Sequence, residues 1–61
     1  MEAFDKLKML VAQAEEDVMK VQQGNKAAGT RLRKTMQEIK GAAQEVRVKV
    51  LEQREAPGPV A

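Results

Sequence analysis

Cysteine, histidine, serine, tyrosine and tryptophan are all missing from this chain of 61 residues. Without cysteine there is no disulfide and no thiolate nucleophile, and without histidine the most versatile general base and metal ligand is gone. Carboxylates, amines, guanidinium groups and two threonines, Thr30 and Thr35, are the groups left that could act as acid, base or nucleophile. Glu15, Glu16 and Asp17 are consecutive, so on a helix they fan outward instead of converging as acid–base work or a hard metal ion requires. They read as a solvated face. The chain is therefore expected to be no enzyme, with no catalytic, cofactor or metal site, and it is too short to enclose a small-molecule substrate.

Long apolar runs are missing as well. No stretch nears the roughly 20 residues that cross a bilayer, and MEAFDKLK lacks the charged-then-apolar order of a secretory signal. A cytoplasmic chain with no membrane role is the expectation. Below about 70 residues a single core rarely supplies more than about 3–5 kcal/mol, and disulfides and metals are already excluded as staples. Oligomerisation is the staple that remains.

What is present is helical periodicity. Phe4, Leu7, Val11, Ala14, Val18 and Val21 are spaced alternately three and four apart, and so are Leu32, Met36, Ile39, Ala43, Val46 and Val50. Each set is an apolar seam of the kind that pairs helices in the coiled-coil manner. Between them, Gly24 supplies the left-handed residue at which helices stop, and Asn25 is suited to cap the next helix. The prediction is an all-α protein: a helix over about 3–22, a turn over about 23–25 and a helix over about 26–54, folded as an antiparallel two-helix hairpin within residues 1–55. The tail 56–61, APGPVA, cannot continue a helix and is expected to be flexible.

Folding about Gly24 and Asn25 sets residue i level with residue 49 − i, so the two seams meet and the second helix overhangs by about two turns. Leu10, Val48 and Leu51, off the seams, are the candidate contacts of a homodimer, expected as a four-helix assembly or joined through the overhanging ends. Gly29 and Gly41 interrupt the second helix at about 1 kcal/mol each, and close helix approach or a mild bend is the plainest reason for them. For Gly29 the alternative is backbone left open to a phosphate.

Charge is the remaining signal. The net charge is only +2, yet residues 1–25 are net acidic, residues 26–40 net basic and the remainder balanced. Lys26, Arg33, Lys40, Arg47 and Arg54 recur every seven residues and share one edge of the second helix, which Arg31 and Lys34 widen near its start. A basic line that begins at a helix N-terminus, with free amides over residues 25–29 and the Thr30 hydroxyl beside them, suits phosphate binding. The competing reading is a flank paired with acids of the neighbouring helix, in which Glu15 meets Lys34. Phe4, the single aromatic, sits in the seam, so base stacking on single strands is disfavoured. No Asn or Gln interleaves with the arginines to read base edges, so contact is expected at the DNA backbone, with little sequence preference.

The run GNKAAGTRLRKTMQEIKGAAQEVR resembles the bacterial histone-like family typified by the chlamydial linker-histone-like protein, and more closely its short homologues. The likeness spans about residues 4–52 and is strongest over Gly24–Lys34. It implies a nucleoid-associated protein that binds double-stranded DNA, and the basic edge and helix start then supply Lys26, Thr30, Arg31, Arg33, Lys34, Lys40 and Arg47 as the expected DNA-binding residues. The chlamydial type carries a long lysine- and alanine-rich extension, whereas this chain ends in APGPVA; DNA contact is thus expected on the hairpin itself. A helical-hairpin module for protein partners, with no nucleic-acid role, is the alternative.

Overall fold

The computed structural model describes residues 1–54, with side chains as far as Gln53; the predicted tail lies outside them. Two helices, α1 (Glu2–Gln22) and α2 (Lys26–Arg54), pack against each other as a helical hairpin. No helix among the described residues is long and apolar enough to cross a membrane.

The turn follows from three residues. Gly24 takes φ +91°, the left-handed conformation that costs glycine nothing. That places the Asn25 amide on the Lys20 carbonyl and the Gly24 amide on the Val21 carbonyl, each at 2.9 Å, a Schellman closure of α1. Asn25 then opens α2, its Oδ1 accepting from the Ala28 amide at 3.0 Å. The register follows: Asp17 meets Arg31, and Val21 lies over Gly29.

The hairpin forms as predicted, but its seam is rotated by about one residue on both helices. Ala3, Ala14, Ala28, Ala42 and Thr35 are the buried residues, and Leu7, Leu10 and Asp17 of α1 with Leu32, Ile39 and Val46 of α2 are half-buried. The buried and half-buried line is thus Ala3, Leu7, Leu10, Ala14 and Asp17 on α1, which the exposed Val21 continues over Gly29, and Ala28, Leu32, Thr35, Ile39, Ala42 and Val46 on α2. Both lines obey the same alternation of three and four as the predicted ones, and share Leu7, Ala14, Val21, Leu32, Ile39 and Val46 with them.

Phe4, Val11, Val18, Met36 and Val50, expected in the seam, are 47, 43, 39, 44 and 43% exposed. Side-chain size accounts for the rotation. Alanines at the contact let two helices approach closely and gain dispersion along their length, whereas phenylalanine and methionine there would hold them apart. The one buried hydroxyl stays satisfied, since Thr35 Oγ1 donates to the Arg31 carbonyl one turn back, at 3.0 Å.

Two smaller expectations change with the seam. Leu10 belongs to the contact between the helices, where it borders Gly41 and Ala42, and so is not a free interface residue. At Gly41 an added Cβ would meet nothing within 4 Å, and at Gly29 it would meet only Val21 Cγ2, at 3.9 Å. Close approach explains neither glycine. Beyond the end of α1, Val48, Val50 and Leu51 are exposed, as the unequal helix lengths dictate.

Candidate nucleic-acid interface

An antiparallel pair has two faces, and the residues next to each seam say which is which. Lys6, Gln13 and Lys20 precede seam positions on α1, and Arg31, Glu38 and Glu45 precede them on α2. These side chains border shared grooves, with Leu10, Gly41 and Ala42 at one level and with Glu16, Asp17, Lys34 and Thr35 at the next. This face is polar and mixed in sign. Phe4, Val11 and Val18 follow seam positions on α1, as Met36 and Ala43 do on α2, so helical geometry puts them together on the opposite face. That face is apolar.

The predicted DNA-binding residues divide between these surroundings. Lys26, Arg33, Lys40 and Arg47 are all exposed and run along the outer edge of α2, on the margin of the apolar face. Successive members are about 10.5 Å apart and the four span about 32 Å, from 1.5 Å of rise per residue. None has a carboxylate partner: the ion pairs among the described residues are Arg31–Asp17 and Lys49–Glu52. Thr30 is exposed one turn on from Lys26, on the back of the helix.

Arg31 and Lys34 stand elsewhere. Arg31 turns into the polar groove, where Nη2 and Nε both donate to Asp17 Oδ1, at 3.1 and 3.3 Å. The Asp17 side chain is only 13% exposed there, against 52% for Arg31. Asp17 is therefore no part of a solvated acidic face; it is a seam residue whose charge Arg31 balances at the rim. Lys34 borders the same groove and forms no pair with Glu15.

The helix N-terminus also offers less than its sequence suggests. Of the amides from residues 25 to 29, Asn25 donates to Lys20, Ala28 to the Asn25 side chain and Gly29 to the Asn25 carbonyl. Lys26 and Ala27 are left without a partner among the described residues. Capping and turn closure consume the rest, so the side chains of the edge carry most of any pull on an anion.

Asp17 is the residue that composition and periodicity passed over. The signal was present, because Ala3, Leu10 and Asp17 fall seven apart, as Phe4, Val11 and Val18 do. A carboxylate in the Ala3 series favoured the all-apolar Phe4 series as the seam. Among the described residues no group of three or more acidic, cysteine or histidine side chains could hold a metal ion.

Two packed helices with four evenly spaced cations along one edge, without acidic partners among the described residues, define a small all-α hairpin. The family is identified by its sequence: a model described as Histone H1-like protein Hc1 matches residues 1–56, and the chain belongs to that family. It is thereby a histone-like, nucleoid-associated, DNA-binding protein, and the family is not one of enzymes. Neither a curated protein nor a solved structure shows significant similarity to the chain.

Proposed function

We propose that the protein binds duplex DNA as a homodimer, through phosphate contacts made by Lys26, Arg33, Lys40 and Arg47 along the outer edge of α2. Thr30, on the back of the helix, and Lys34, on the polar groove, lie off this edge and are not among these contacts. The observation that carries this reading is the contrast within α2: Arg31 is held by Asp17, while the four edge cations have no acidic partner among the described residues. Unpaired charge at a spacing of about 10.5 Å, over a length near one turn of B-DNA, supplies attraction without base reading. Such binding tolerates any sequence and places the protein on the cytoplasmic nucleoid.

Support for the dimer comes from the small core. No large side chain among the described residues is fully buried, whereas Phe4, Val11, Val18, Met36 and Val50 are exposed. Covering such a face with a second copy removes several large side chains from water per chain, at about 1.5–3 kcal/mol each when fully buried. The overhanging Val48 and Leu51 extend the same need.

A salt titration of binding to random duplex DNA tests the reading. Four phosphates neutralised per chain correspond to a slope of about −3.6 in log affinity against log salt, at about −0.9 per phosphate. Arg33→Gln lowers that slope by about 0.9, whereas Arg31→Gln leaves it in place. A slope indifferent to salt, together with a defined heteromeric complex in pull-downs, would transfer the assignment to a protein-interaction module.

A further inference from the structure

We infer that the two basic edges of the dimer lie on opposite flanks, so that one dimer ties two separate duplexes together instead of coating one. This rests on the reading above, and concerns what the same edge does once the apolar faces have met.

Two hairpins stacked face to face about a two-fold axis have two arrangements. With the axis across the helices, the turns lie at opposite ends and α2 lies on the second copy's α2. Because Lys26, Arg33, Lys40 and Arg47 border the apolar face, both sets of four cations then crowd one lateral groove, with no carboxylate of the edge between them. With the axis along the helices, the turns lie at the same end and α2 lies on the second copy's α1. The matching margin of α1 carries Lys8, Glu15 and Gln22. Since residue i is level with residue 49 − i, Glu15 stands within one residue of the height of Arg33 of the second copy.

Electrostatics separates the two. Unlike charges meet at Glu15 in the same-end arrangement, at the cost of Lys8 approaching the level of Lys40. In the opposite-end arrangement the four cations of each α2 margin face like charges, and Lys8 and Glu15 of the two α1 margins, which then meet each other, offset only part of that repulsion. The same-end arrangement is therefore the one the free protein adopts. It sends the α2 edges outward from diagonally opposite corners of the bundle, related by half a turn. A stiff duplex held on one edge cannot bend round to the other across a bundle of about 20 Å, since the persistence length of DNA is about 500 Å. Each dimer is then a bivalent link.

The chain has no native cysteine, so Gln23→Cys, at the exposed turn, gives one spin label per copy. Same-end stacking predicts a label separation below about 25 Å in the free protein; opposite-end stacking predicts at least the length of α1, about 31 Å. In parallel, a bead-bound random duplex is incubated with protein and a second, labelled duplex. Expected are retention of the labelled duplex, loss of retention when protein saturates both duplexes separately, and retention abolished by Val11→Asp while single-duplex retardation persists. Retardation without capture at any protein-to-DNA ratio, a label separation above about 30 Å, or a monomeric mass overturns bridging and leaves phosphate contact by the edge intact. No retardation at all defeats the phosphate reading, and bridging with it.

Discussion

Arg31 and Arg33 stand two residues apart on α2 and meet opposite surroundings. Arg31 faces Asp17 across the polar groove and is bound to it through two nitrogens. Arg33 points outward, in line with Lys26, Lys40 and Arg47, and has no acid within reach among the described residues. The groove side carries both signs and uses its charge to hold the hairpin in register. The outer edge carries one sign and leaves it unneutralised. In a chain this small, whether a basic residue is structural or available to a ligand depends on its angle about the helix axis, not on its local sequence.

The comparison breaks most completely if the apolar margin beside the edge is charged. Val11→Asp should dissociate the proposed dimer, because each two-fold contact would lose two valines at about 1.5–3 kcal/mol apiece, roughly a hundredfold or more in dimer affinity. Sedimentation at increasing dilution reads this as a halved mass. On the contact between the helices, Ala28→Leu forces a bulkier side chain into a position with no exposed surface and should cost about 1–3 kcal/mol in urea unfolding. Asn25→Ala removes the cap on Ala28 and should cost about 1 kcal/mol.

Smaller effects sharpen the contrast between the two arginines. Arg33→Gln should flatten the salt dependence of DNA affinity by about one phosphate and leave the melting temperature alone. Arg31→Gln should do the reverse: an unchanged salt slope with a stability loss of about 0–1 kcal/mol, since its guanidinium is half in water. Equal flattening by both substitutions would mean that the Asp17 pair opens on DNA. Gly41→Ala meets open space and should stabilise α2 by up to about 1 kcal/mol. A loss of DNA affinity on that change would instead give the glycine a role at the ligand.

How legible the fold was depended on the element. The turn could be read residue by residue, since a left-handed glycine followed by an asparagine cap has few alternatives. Phe4 and Asp17 show where legibility ended. Within either helix taken alone, an apolar ring suits a seam better than a carboxylate does. The structure puts Asp17 in the seam and Phe4 outside it, with Lys8 Nζ 5.7 Å from the ring centre. The reason lies in the pair: alanines opposite alanines allow close approach, and Arg31 across the groove makes the acid tolerable. The same rotation took Leu10 into the contact between helices and turned the predicted seam into an uncovered face. Of the candidate site, the seven-residue line was visible from spacing, whereas the loss of Arg31 to Asp17 was not.

Composition and spacing by themselves settled that this is a helical hairpin without thiol or imidazole chemistry, turning at Gly24 and Asn25, with a basic line on its second helix. These are local properties, set by residue content, backbone preference and the 3.6-residue period, and each helix carries them before it meets the other. Which of two equally periodic lines became the contact, which arginine was neutralised and which large side chains were left in water were decided only when both helices were present. Side-chain volume and charge at a shared surface are properties of two segments at once, and neither segment encodes the sum alone.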